Sequence, residues 1–258
     1  MKNFRKIMLS LSVLSSLWAS SVSAVELSKH IQFYGYGHAG YLRTDNNTFL
    51  KADNNGTWNY NDIALLFVGN VHEKSKVWLQ LYHIYDDNRV DWAFVDYTVN
   101  NTSTLKLGQI KLPFGLHNDY RDVEYLRLST LKPFLYQDVS EIVAEAYRGI
   151  GYTYQSNFEG LSIDLYAGQI VDFEEGGEDY KELIGARASY NTPMSGLKLM
   201  TSIYHSGLEE SGESGKIRTL SFSASYHPDK FSQYAQSGHK IYFQGEDCPL
   251  SLLTLMKT

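Results

Sequence analysis

The chain has a single cysteine, Cys248, so no disulfide framework holds it together and no zinc-type cysteine spacing exists. Only 5 of its 258 residues are proline, too few for a proline-rich linker or repeat. Beyond Ala24, no segment reaches the roughly 18 unbroken apolar residues that a helical membrane span needs. Basic charge is not in excess: 23 Lys and Arg stand against 29 Asp and Glu, a formal charge of −6. Nucleic acid is therefore not a favoured partner. Neither a Gly-x-Ser-x-Gly elbow nor a His-Glu-x-x-His helix occurs. In place of these the chain carries 20 Tyr and 20 Gly, with aromatics at 14%, a load that suits strands and interfacial girdles. The mean hydropathy of −0.32 is compatible with a membrane barrel, because half of each strand faces a wet lumen.

The first residues, Met1-Lys2-Asn3-Phe4-Arg5-Lys6, form a basic start to an apolar run from Ile7 to Ala19, and Ser21-Val22-Ser23-Ala24 ends it with small residues. This pattern predicts a secretory signal over residues 1–24, cut after Ala24, and an exported mature chain. From Ile31 the apolar residues recur with period two. The alternation predicts ten strands: Ile31–Arg43, Asn59–His72, Lys76–Tyr85, Arg89–Val99, Thr104–Leu112, Tyr147–Gln155, Leu161–Val171, Lys181–Asn191, Leu197–His205 and Lys216–His227. Leu161, Ile163, Leu165 and Ala167 face one way there, and Ser162, Asp164, Tyr166 and Gly168 the other.

Long and tight connections alternate along the chain, apart from a short turn at Asp86-Asp87-Asn88. Strands of roughly 9–11 residues or slightly more, joined in this way, are those of an outer-membrane barrel. The fold class expected is thus all-β, a transmembrane antiparallel β-barrel over residues 25–230, closed because unpaired edges are costly in lipid. A soluble β-sandwich also alternates, but strands with Ser, Thr and Asp on their inner face lack the bulk of a dry core. Tyrosines at strand ends, among them Tyr34, Tyr36, Tyr41, Tyr82, Tyr97, Tyr204 and Tyr226, are expected to form interfacial girdles.

The strand Thr104–Leu112 runs into Pro113-Phe114-Gly115, after which residues 117–145 are too polar and broken for strand. Phe33-Tyr34-Gly35-Tyr36-Gly37, together with Leu107-Gly108-Gln109-Ile110-Lys111-Leu112-Pro113-Phe114-Gly115-Leu116, resembles the Gram-negative outer-membrane porins of the general and phosphate-selective type. That resemblance implies a trimer of sixteen-stranded barrels in the cell outer membrane. It implies passive diffusion of small hydrophilic solutes or ions, with no cofactor and no catalytic residue. The loop 113–146 is then a constriction loop, with Asp119, Arg121, Asp122, Glu124, Arg127 and Lys132 as its candidate residues. Lys106, Arg148, Arg187 and Arg218 are candidates for the lumen wall, and outer-membrane lipids are the surrounding partner. No ladder of basic residues is visible, so phosphate selectivity is not carried over, and mixed charge leaves ion preference open.

Two rival readings remain. A barrel enzyme of protease or lipase type would draw on scattered residues such as His38, His72 and His117; a structural or adhesin-like barrel would use its loops. The motif absences favour a chain that is not an enzyme. After Lys230 the alternation collapses, leaving at most a short strand at His239–Gln244 in an atypical tail over 231–258. The porin resemblance makes a truncated or frame-shifted barrel the expectation there.

Overall fold

Sequence alternation becomes hairpin after hairpin in the computed structural model, which describes residues 25–28, 30–45, 52–84, 87–121, 143–157, 160–171, 179–210, 213–226, 233–244 and 251–254. The strands are β1 (Val25–Ser28), β2 (Ile31–Leu42), β3 (Thr57–His72), β4 (Ser75–Ile84), β5 (Asp87–Asn100), β6 (Ser103–Lys111) and β7 (Ala146–Gln155). They continue as β8 (Leu161–Val171), β9 (Asp179–Asn191), β10 (Leu197–Glu210), β11 (Glu213–Tyr226), β12 (Gln233–Gln244) and β13 (Ser251–Thr254). Every strand pairs with its sequence neighbour in one 13-stranded antiparallel meander. Such a meander has only local connections, the simplest solution for strands joined by short loops.

All ten expected strands are present, and three more join them. β1 is too short to announce itself by alternation, and β12 and β13 lie inside the segment expected to be an alien tail. Most of the stretch between the expected strands Leu197–His205 and Lys216–His227 is strand as well, because β10 and β11 pair as far as Glu210 and Glu213. Closure and sixteen strands were expected. Among the described residues there are thirteen strands, and no ladder joins β13 back to β1.

The two faces of the sheet have inverted polarity. Leu107 is 65% exposed, Ile184 63% and Phe222 56%, and Val77, Val95, Ile150, Leu165 and Ile203 share that outer face. Thr219, Ser221, Ser223 and Ser225 alternate with Leu220 and Phe222 along β11 and are buried, as are Asp62, Gln80, Asp164 and Ser202 on other strands. A water-soluble sheet has the reverse arrangement; this one suits an apolar surround and a polar interior. Tyr41, its ring tilted against that of Trp58 with centroids 5.2 Å apart, and the exposed Tyr97 and Tyr226 lie near strand ends of the outer face, as a girdle requires. Tyr82 and Tyr204 do not join them. Both are 3% exposed and turn inward, where their hydroxyls find polar partners that lipid lacks.

Two local devices set up the inner face beside the long loop. Gly108, Gly149 and Gly168 lie opposite one another across β6, β7 and β8. A Cβ on Gly149 would sit 2.1 Å from the Ala167 carbonyl oxygen, and one on Gly108 2.3 Å from that of Ala93. A row of glycines lets adjacent ladders approach and the sheet bend sharply. Past Gly108, Gln109, Ile110 and Lys111 are all buried, the alternation giving way where the strand passes under the loop. The second device is in β5. Its pairing jumps from Trp92 opposite Gln80 to Val90 opposite Leu81, leaving Asp91 as an unpaired extra residue. Such a bulge re-aims a side chain, and Asp91 is fully buried.

Candidate functional site

The described residues of the loop that leaves β6, 112–121 and 143–145, do not stand away from the sheet. Leu112, Pro113, Phe114, Gly115 and Leu116 are all buried. The Leu112 N–H donates to the Glu145 carbonyl at 3.0 Å, so the chain leaves and re-enters the sheet at one place. Asn118 secures that neck: its amide Nδ2 donates to the carbonyl oxygens of Leu112 at 2.8 Å and Ala144 at 3.0 Å. Gly115, at φ 60°, makes a left-handed turn that a side chain would resist. Its N–H donates to Ser202 Oγ of β10 at 3.0 Å. Beside it, Phe114 packs edge-on against Tyr204, with ring centroids 5.3 Å apart. The loop therefore crosses the inner face from β6 to β10, and Ile110, Leu112, Phe114, Tyr147, Tyr166 and Tyr204 form one apolar cluster beneath it.

Charge holds this loop at two places. At its base, Lys111 Nζ lies 2.8 Å from Asp91 Oδ1 and also bonds Glu145. Arg89 and Arg121 each reach Glu145 at 3.0 Å, through Oε1 and Oε2 respectively. Gln80 Nε2 donates to the second oxygen of Asp91 at 2.9 Å, and the Arg89 guanidinium sits 5.3 Å from the centre of the Tyr82 ring. Further along, a short 3-10 turn (Asn118–Tyr120) presents Asp119. Asp119 bonds Arg187 of β9, which also contacts Asp164 of β8 at 2.9 Å; Thr153 of β7 donates to the other oxygen of Asp164 at 2.7 Å. His117 sits between these two places, its Nδ1 3.0 Å from the Tyr120 hydroxyl and the two rings edge to face. Burial holds its imidazole pKa below the ordinary 6.5.

The residues singled out from sequence separate clearly. Asp119 and Arg187 meet, and Arg121 belongs to the base cluster. Asp122, Glu124, Arg127 and Lys132 lie outside the described residues. Lys106 pairs in register with Asp96 and Gly151, on the inner face as expected. Arg148 and Arg218 do not line the inner face. Arg148 shares the strand face of the exposed Ile150 and donates from Nε to Gln109 Oε1 at 2.9 Å. Arg218 shares the face of Leu220 and Phe222, and is exposed. Both corrections have one cause: in a strand the phase of the neighbours decides the face.

Sequence reasoning left out Arg89, Asp91, Lys111, Asn118, Asp164 and Ser202 as site residues and reached Glu145 only as the end of the polar stretch 117–145. Asp164 carried a signal, being the inward charge of the most regular strand. The bulge that aims Asp91 left none.

No family model matches the chain, and no curated protein matches it. Among solved structures it is similar to OmpTdeltaL8, a loop L8 deletion mutant of OmpT, an outer membrane protein of Vibrio cholerae. Identity is 11%, each chain is covered over 82% of its length, and the TM-score is 0.42. A likeness of that size transfers neither an activity nor a ligand. The expectation that the chain is not an enzyme is withdrawn here. It rested on missing elbow and metal motifs, which exclude only those chemistries.

Proposed function

We propose that the chain is an outer-membrane protein of porin type, passing small hydrophilic solutes or ions through an interior narrowed by the loop 112–145. The supporting observation is the path of that loop: it is tied through Asp119 to Arg187 of β9, three strands from where it leaves β6, on the polar face of a sheet whose outer face is apolar. A charged segment held across a polar interior narrows it and sets the field that ions cross. Asp119, Arg121 and Arg187 are the residues assigned to that constriction, with Lys106 on the wall beside it. The surrounding partner is outer-membrane lipid, facing Leu107, Ile150, Ile184 and Phe222.

Single-channel recording of the refolded chain in a planar bilayer tests this reading. Stable conductance steps with a reproducible ion preference are expected; a chain that folds by circular dichroism and gives no steps would sink the proposal. Assays of peptide and ester hydrolysis on the same sample measure the enzymatic alternative directly.

A further inference from the structure

A wet wall should be polar, yet the inner faces of β4 and β5 carry three aromatic rings. Trp78 stacks on Phe94 with centroids 5.9 Å apart and planes 9° from parallel, and Trp92 continues the strip 6.4 Å from Phe94. Trp78 lies directly opposite Phe94 in register, and alternation puts it on the same face as the buried Gln80 and Tyr82. Phe94 also packs against the apolar cluster beneath the loop, whereas Trp78 is one strand further from it. Trp78 and Trp92 are both only half-buried, so the strip is not a sealed core.

Beside the rings, three charged residues follow one another across three strands. Lys76 of β4 is opposite Asp96 of β5, and Asp96 is opposite Lys106 of β6. Alternation puts all three on the face of Trp78 and Phe94. Trp78 Nε1 donates to Asp96 Oδ2 at 2.7 Å, so the carboxylate also fixes the indole. The row continues into Asn70 on one side and Gly151 on the other, and the next row on β5, β6 and β7 is Thr98, Thr104 and Thr153. None of these is charged. Among the described residues the row therefore holds two ammonium groups to one carboxylate, and its excess is positive. Gly108 opposite Phe94 and Gly151 opposite Lys106 have no side chains, which leaves the wall open between the Phe94 ring and the Lys106 ammonium. A bare inorganic anion would balance the charge and leave the rings unused; a neutral ring would use the rings and leave the charge. A ring that bears one carboxylate uses both. Its flat face lies on Trp78 and Phe94 while its carboxylate accepts from Lys106 and Lys76.

We propose that Trp78, Phe94, Lys76 and Lys106 form a subsite on the inner wall for a small ring carboxylate, a monoanion with a flat apolar face. This rests on the channel reading for its purpose, and the experiment separates the two. The refolded chain is titrated calorimetrically with cyclohexanecarboxylate, with acetate, which has the charge and no ring, and with cyclohexanemethanol, which has the ring and no charge. The same protein is then recorded in a bilayer with each compound. Cyclohexanecarboxylate is expected to bind saturably and to interrupt the current, the other two to do neither. Lys106→Met, which keeps side-chain volume, is expected to weaken its binding about tenfold, the loss of a hydrogen bond between charged groups. Asp96→Asn keeps an acceptor for the Trp78 indole and adds one net positive charge, so it is expected to tighten the binding about threefold. Trp78→Leu is expected to lower the affinity to that for acetate. Binding without conductance would uphold the subsite and overturn the channel. Conductance without binding of cyclohexanecarboxylate, equal binding of acetate or of cyclohexanemethanol, binding unchanged in Lys106→Met, or binding weakened in Asp96→Asn would overturn the subsite. Absence of both signals would overturn both.

Discussion

The two ends of the folded loop are fastened by the same chemistry at different depths. At the base, Arg89, Asp91, Lys111, Arg121 and Glu145 form a buried group, none with a side chain more than 16% exposed. At the far end a single arginine is shared by two carboxylates, and Asp119, the loop's own contribution, is 43% exposed. An ion pair sealed from water is costly to break, because the partner left behind stays buried and uncompensated. A pair open to water is screened, and its loss is cheap. The base is therefore a permanent anchor, and the far end is a contact that can be made and released. Among the described residues, three cations share two carboxylates at the base, while two carboxylates share one cation at the far end.

The sharpest way to break this comparison is Glu145→Ala. It removes the group to which three cations are bonded, and about 3–5 kcal/mol of folding stability is expected to go with it. Urea unfolding in detergent or lipid measures the loss; a change below about 1 kcal/mol would show the base to be no deeper than the far end. Phe114→Ala comes next. Phe114 is fully buried between the two anchors, and about 3 kcal/mol is expected for such a truncation. Limited proteolysis should cut the loop faster in this variant while the base charges still hold the neck.

How much of this was legible in the sequence depends on what each feature rests on. The strands rest on alternation, so Leu161–Val171 and the apolar row Leu220, Phe222, Ala224 could be read directly. The loop rests on a stop, Pro113-Phe114-Gly115, in front of a polar stretch. Arg148 and Arg218 were misplaced although the evidence was local: Ile150 and Leu220 already fixed their faces. Asp91 is a different matter. It faces Lys111 because a bulge breaks the period, and nothing in Arg89-Val90-Asp91-Trp92 marks a bulge. Only the His239–Gln244 half of β12 was read as a possible strand; Gln233 to Gly238 mixes Gln, Ser and Gly without a clear apolar phase, and a ladder with β11 needs backbone groups alone.

A smaller effect is expected at the far end. Arg187→Met and Asp119→Asn, measured singly and together, form a double-mutant cycle whose coupling energy should be about 1 kcal/mol or less, since Asp119 is partly solvated. Both variants should keep the unfolding behaviour of the base and change instead the noise or size of the current. Coupling above about 3 kcal/mol would mean that the far end is a second permanent anchor and that the asymmetry is wrong.

The smallest expected effect is a dependence on pH through His117. Docking the loop buries this imidazole beside Tyr120, and burial lowers its pKa from 6.5, so the docked loop binds the proton less readily than the released one. Above pH 6.5 the ring is neutral in both states, and the full stability of docking is present. As the pH falls through 6.5, the released loop takes up its proton first, and docking weakens progressively until the pH reaches the lowered value of the docked state. Proteolysis of the loop should therefore quicken between about pH 7 and pH 5. His117→Gln, which keeps an acceptor for the Tyr120 hydroxyl and cannot titrate in this range, should flatten that dependence. If the wild-type loop is cut at the same rate across the interval while the variant is also unchanged, His117 takes no part in docking. If both respond equally, the proton that weakens docking goes elsewhere than His117.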